Sequence, residues 1–440
     1  MTEAGLTGAG AGPELHALCT ELFPICRSIT GDGVRATLDI LGRYVPLVVH
    51  EVRSGTPALD WTVPREWNVR DAYVADPEGR RLIDFRASNL HLVGYSAPVD
   101  ERMPVSELRA HLHTLPDRPT SVPYRTSYYD DSWGFCLAHD DLARLPDGDV
   151  DVRIDATLED GSLTYGECLV PGVSEREVLI STHVCHPSLA NDNTSGMALL
   201  ALLGRALRDR SDRGGLRYSY RLLFIPGTIG SIVWLSRNED HLDRIEHGLV
   251  LTGLGDPGGL TYKRSRRGDA TVDRAAAHVL RTRPGVHTVV DFSPYGYDER
   301  QFCSPGFDLP VGRMGRSPHG EYPEYHTSAD ALSFIGAPQL GDALAAVTEV
   351  VDVLEGNGTY LNLSPKGEPQ LGRRGLYRAI GASMDKRAAE MSLLWVLNQS
   401  DGTHDLLAIA QRADLPFAAV REAADRLLEA DLLARVAGTS

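Results

Sequence analysis

No stretch of the 440-residue chain approaches the run of about 18 apolar residues that a bilayer-spanning helix needs. The first residues, Met1-Thr2-Glu3-Ala4-Gly5, have neither the basic region nor the apolar core of a secretory signal, so a cytoplasmic protein is expected. No two cysteines have CxxC spacing. Cys19, Cys26, Cys136, Cys168, Cys185 and Cys303 are scattered, as reduced thiols are, and do not form a disulfide framework. Positive charge is also short: 44 Lys and Arg stand against 60 Asp and Glu, a formal net charge of −16 with no acidic tail. That balance disfavours nucleic-acid backbones and anionic membranes as main partners and leaves a small molecule or peptide as the expected one.

A composition of 42% hydrophobic and 24% charged residues is that of a globular protein, and the length suggests roughly two to three domains. Helical patterns near 13–28 and 33–43 lead into a strand at Val45–Val52. From 59 to 140 short strand-like runs alternate with turns, and aromatics crowd between Tyr124 and Phe135, which predicts an inserted β-rich domain. Val150–Ala156, the turn Glu159-Asp160-Gly161-Ser162 and Leu163–Val170 predict a hairpin. Strands at Val178–Thr182, Tyr218–Ile225, Gly248–Thr252 and Thr288–Phe292 then alternate with helices near 196–209, 230–245, 272–282 and 337–355. That order suits a mostly parallel α/β sheet. The expected division is an α/β domain over 13–58 and 141–360, the insertion at 59–140, and a separate helical unit at 385–440. This last unit reads as three helices, a helix-turn-helix at Leu415-Pro416 and a short strand, the pattern of a winged helix. Its six basic residues face nine acidic ones, so a structural or dimerising role, with a homo-oligomer as a partner, is expected over DNA binding.

The most informative segment is 181–200. The apolar run Val178-Leu179-Ile180 delivers His183 and His186, Asp192 follows nine residues after His183, and Gly196 opens an apolar helix. Imidazoles and a carboxylate where a strand gives way to a helix are how α/β folds build sites. Neutral His nitrogen and Asp oxygen are also ligands of open, catalytic zinc sites. The competing reading is a polar loop of Asx turns that caps the helix. Cys185, inside the motif, reads as a small buried thiol beneath the site, with a thiolate ligand or nucleophile as the alternative. A second cluster lies at Tyr297-Asp298-Glu299-Arg300 and Gly320–Asp330, where His326 precedes Asp330 by four residues. A metal-bound His usually has a partner of that kind, which makes Asp330 the expected one for His326.

These motifs resemble the zinc aminopeptidase-like fold of the M28 peptidase clan. More closely they resemble its bacterial relatives described as domain of unknown function 4910, which carry an inserted β domain and a C-terminal winged helix. The resemblance implies a mixed sheet flanked by helices, over nearly the whole chain. It assigns His183 as first ligand, Asp192 in Asp192-Asn193-Thr194-Ser195-Gly196 as the metal-bridging carboxylate, and His326 in Tyr325-His326-Thr327-Ser328-Ala329-Asp330 as last ligand. One departure stands out. Where M28 peptidases have adjacent glutamates, and the closer family reads Pro-Glu-Thr-Ile-Gly-Ser, this chain reads Pro226-Gly227-Thr228-Ile229-Gly230-Ser231. With that carboxylate missing and Asp256 the weak remaining aspartate candidate, one zinc per chain is expected in place of a pair.

A hydrolase of this type needs a base. Glu299, Glu321 and His186 are the candidate substitutes; the plainer readings are that Glu299 pairs with Arg300 and that Glu321 solvates a loop. Arg300 is a candidate clamp for a substrate carboxylate, with a structural ion pair as the alternative, and Tyr322 is a second substrate-binding candidate. The leading expectation is a metal-dependent, aminopeptidase-like amide hydrolase for a small amino-acid-derived or peptide substrate. The alternatives are a repurposed member that binds or rearranges a small amide, and a winged-helix regulator that senses one.

Overall fold

A computed structural model describes residues 10–318, 320–376 and 384–436. The first nine residues, on which the expectation of no secretory signal rests, lie outside the described part. The chain folds as two compact units, residues 1–268 with 290–345, and residues 269–289 with 346–440. No helix among the described residues is long and apolar enough to cross a membrane.

In the first unit seven strands lie side by side in the order Val48–Arg53, Ser162–Val170, Ser219–Ile225, Glu177–His183, Ile245–Leu251, Val311–Gly315 and Thr261–Lys263. The third to sixth of these are mutually parallel, and the flanking strands are antiparallel. All seven residues of Glu177–His183 are buried, as a central parallel strand covered on both faces must be. From that strand the chain crosses to its neighbour on one side, then returns to its other side at Ile245–Leu251. Such a reversal opens a crevice at the carboxyl ends of the strands, where ligands bind in α/β folds.

A second, antiparallel sheet orders Arg81–Asp84, Glu66–Ala75, Asp149–Glu159 and Val99–Pro104. The expected hairpin does not form. Asp149–Glu159 pairs with Glu66–Ala75 and Val99–Pro104, whereas Ser162–Val170 pairs in the main sheet. The turn between them is held from outside: Glu66 accepts the Ser162 N–H at 2.8 Å and Gly161 accepts the Ser54 N–H at 2.9 Å. Gly161 is required there, because a Cβ would lie 2.4 Å from the Glu66 carboxylate.

The second unit contains a three-stranded sheet, Asp401–Asp405, Thr359–Asn362, Leu433–Arg435, with helices Met384–Gln399, Leu406–Ala413 and Phe417–Glu429. Its middle strand comes from upstream of residue 385. Asp405 caps the helix Leu406–Ala413 through the Ala408 N–H and takes both Nη groups of Arg274 at 3.0 and 2.9 Å.

Two buried histidines set an acid limit to stability. Burial, with Arg217 nearby, pushes His247 down to about 4, and burial with Arg281 does the same to His278. A histidine whose folded value is depressed stabilises above its unfolded value near 6.5, and that contribution is lost as pH falls through 4. For His247, which is 4% exposed, it amounts to about 3 kcal/mol. Denaturant unfolding at pH 7 and pH 4.5 is therefore expected to show a stability loss of that order, reduced in His247→Gln. An equal loss in wild type and variant would remove His247 from the account.

Candidate active site

The site starts from His183, fully buried at the end of its strand. The following loop turns through Ala190–Ser195, where Asp192 and Asn193 leave helical geometry before the helix Gly196–Asp212 begins. The motif's polar residues hold this turn. The Asn193 amide donates to Thr182 Oγ1 at 2.8 Å and to the His183 carbonyl at 3.1 Å, and its oxygen accepts from the Gly196 and Gly253 N–H groups. Ser195 Oγ donates to the Asn191 carbonyl and accepts the Leu254 N–H. Gly196 is glycine because a Cβ would sit 2.5–2.7 Å from Asn193, Thr182 and Leu251.

Held this way, Asp192 meets two imidazoles: Oδ1 lies 2.9 Å from His183 Nε2 and Oδ2 lies 3.0 Å from His326 Nε2. His186 Nε2 is 4.0 Å from Asp192 Oδ2, and His183, His186 and Asp192 offer ligand atoms within 4.8 Å of one another. Burial would raise the Asp192 carboxyl, but the imidazoles of His186, His183 and His326 outweigh it and hold it well below 3.8. Burial, reinforced by His183, His326 and Arg27 against Asp192, pushes His186 well below 6.5, so it presents a neutral ring. Two imidazole nitrogens and a carboxylate converging at a strand end form a donor set that fits zinc. Aromatic rings fix the histidines: Tyr297 stacks on His183 at 4.6 Å, Tyr325 stacks on His326 at 3.9 Å, and Tyr124 meets both His186 and His326 edge-on.

Several expected residues occupy other roles. Asp330 does not face His326; its carboxylate accepts the N–H groups of Asn191 at 2.6 Å and Asp192 at 2.9 Å, so it sets the loop that carries Asp192. Asp256 is likewise committed, to Asn191, Ser317 and the Gly258 N–H. Glu299 is fully buried with one oxygen on Lys263 Nζ at 2.9 Å and the other on the Tyr297 N–H at 3.0 Å. Both oxygens are committed to protein donors, which gives Glu299 a structural role in place of the expected base. Glu321 is exposed, and no ion pair holds it among the described residues. Tyr322 is half-buried, stacked on Phe334 and edge-on to Tyr325. Arg300 is half-buried beside Asp298 and its buried Nε has no partner. Cys185 is a buried thiol, pushed up by burial, under the Gly227 carbonyl.

Two contributors escaped the sequence reading. Tyr124 comes from the segment preceding Phe135 whose aromatics were visible but whose destination was not. Asp298 is the other. It is fully buried; Oδ1 accepts Ser231 Oγ at 2.9 Å, Oδ2 has no partner, and burial pushes the carboxyl up to about 6. A Cβ on Gly227 would lie 3.2 Å from His183 Cβ and 3.5–3.6 Å from the Asp298 oxygens. Asp298 thus borders the space that Gly227 leaves open beside His183.

Comparison with known proteins agrees with this architecture. Residues 16–357 match the family described as domain of unknown function 4910, and residues 358–435 match a winged helix-turn-helix. A Clostridium acetobutylicum protein named for polysaccharide biosynthesis and an aminopeptidase-like domain is 50% identical over 422 residues, 96% of each chain. A crystal structure of a C. acetobutylicum protein designated a peptidase superposes with TM-score 0.92 at 48% identity, covering 98% of both chains. The fold extends to a zinc aminopeptidase from Bacillus subtilis, with TM-score 0.54 and 14% identity over 80% of this chain and 95% of that one. With an aminopeptidase-like mixed sheet and a C-terminal winged helix, the chain belongs to the family of domain of unknown function 4910.

Proposed function

We propose that the protein is a zinc-dependent amide hydrolase acting on a small amino-acid-derived or peptide substrate, with His183, Asp192 and His326 as the zinc ligands. The observation that carries this reading is the convergence of both histidine nitrogens on one buried carboxylate at the carboxyl end of the parallel strands. Zinc, when bound, supplies Lewis-acid polarisation of the carbonyl and activation of water. The protein's own part is to keep His186 neutral beside the cluster, to hold the ligands by aromatic stacking, and to offer Asp298 Oδ2 as the proton acceptor. The relative's naming for polysaccharide biosynthesis makes N-acylated amino sugars part of the substrate class to screen, alongside aminoacyl amides. A second reading, a member that binds or rearranges an amide with little hydrolysis, is favoured by one observation: Gly227 where the resemblance expects Glu. Protein purified without added metal is expected to carry about one zinc per chain. His183→Ala and His326→Ala should lose the zinc and remain folded; full zinc in the double variant would overturn the ligand assignment.

The winged helix reads as a structural or dimerising module in a cytoplasmic protein. Its third helix spends its arginines locally: Arg421 donates to the Gly356 carbonyl and pairs with Asp425, and Arg426 donates to the Leu376 carbonyl. With Arg421 paired to Asp425 and Arg426 turned onto a backbone carbonyl, that helix offers phosphates little to bind. Duplex DNA titrated at about 50 mM salt is expected to show no sub-micromolar binding; salt-sensitive binding at that level would restore the regulator reading.

A further inference from the structure

Arg313 is an arginine that the fold buries without an anion. It lies in the middle of Val311–Gly315, opposite Val250 on one side and Lys263 on the other, and is 7% exposed. Among the described residues its guanidinium has no hydrogen-bond or ion-pair partner, and its buried Nε is unsatisfied. Its guanidinium meets the face of Tyr297, with Cζ at 6.0 Å from the ring centroid, the outer limit of a useful cation–π contact, and acts through its charge on Tyr325. Burying a guanidinium without a counter-charge is costly, and that contact offsets little of the cost. The neighbouring anions are taken: Glu299 by Lys263 and the Tyr297 N–H, Asp192 by the histidines.

Tyr297 stacks on His183 and its hydroxyl lies 3.4 Å from that of Tyr325, which stacks on His326. Arg313 therefore lies against the ring that stacks on His183, one of the proposed zinc ligands. A planar fork of donors with no protein acceptor, beside a reaction centre, matches a carboxylate bidentately. We infer that Arg313 determines specificity by binding an anionic group, a carboxylate a few bonds from the reacting amide, so that the substrates are acidic. This rests on the zinc-site reading above.

The test separates the two. Binding of butyrohydroxamate and of its carboxylated counterpart, succinic acid monohydroxamate, to the zinc-loaded full chain is measured by calorimetry. Binding of the neutral compound reports on the zinc site alone. The carboxylated one is expected to bind about 10–100-fold more tightly to wild type, as a charge-assisted bidentate pair provides. Arg313→Met is expected to bind both alike, and Arg313→Lys to keep part of the preference. Succinate binding to metal-free wild type, lost in Arg313→Met, supports the guanidinium's role even if neither hydroxamate binds. No preference in wild type, a preference that survives Arg313→Met, or one that disappears only in Arg300→Gln would each overturn the inference.

Discussion

Asp298→Asn is expected to lower amide turnover by about 10²–10⁴-fold, the range lost with a general base, while zinc content stays at the wild-type level. The substitution keeps the shape of the side chain and its acceptance of the Ser231 hydroxyl, so the site's packing is preserved. It removes the negative charge and with it the capacity to take a proton at Oδ2, the buried oxygen that no protein group satisfies. Because Asp298 is asked to act on a proton and not to hold substrate, the loss should fall on kcat with KM little changed. Glu299→Gln gives the contrast: it breaks the buried pair with Lys263 and should cost stability, since an unpaired buried ammonium remains. Full turnover in Asp298→Asn would return the base assignment to His186, the remaining neutral group next to Asp192.

What was legible in the sequence follows from how strongly each element announces itself. Glu177–His183 and Ser219–Ile225 are apolar runs because both faces are covered, and the helix at Gly196 follows a polar turn whose every side chain has a partner. The convergence of His183 and Asp192 could be read because the two residues sit at the end of that strand and in that turn. Val311–Gly315 could not be read: Val-Gly-Arg-Met-Gly has two glycines and a cation where a central strand usually has branched apolar residues. Its glycines exist because Tyr262 and the Thr252 carbonyl press against the strand, where a Cβ would lie 2.0 and 2.7 Å away. Asp298 was hidden differently. It stands next to Glu299 in the same short segment, and only the three-dimensional pairing of Lys263 with Glu299 shows which of the two carboxylates is spoken for. The same holds for Asp330, four residues from His326 in sequence yet bonded to the backbone of the Asp192 loop.

Gly227→Glu is expected to raise hydrolysis of simple aminoacyl amides, by less than the roughly 10²–10⁴-fold a general base contributes, because Asp298 already supplies part of that contribution. The space is there in part. The new Cβ would make ordinary contacts with the Asp298 oxygens, while His183 would have to give by a few tenths of an ångström. The new carboxylate would then stand near Asp298, and two buried carboxylates at close range share a proton, one of them held neutral by the other's charge. The gain should therefore depend on Asp298. In an Asp298→Asn background the same Gly227→Glu change should recover activity by a different factor than in wild type, and that difference measures the coupling of the two groups. Equal factors would mean that the introduced carboxylate works alone. A Gly227→Glu variant that carries full zinc and gains nothing would weigh against the hydrolase. The glycine would then be part of a site shaped to hold an amide without cleaving it, and the second reading would take over.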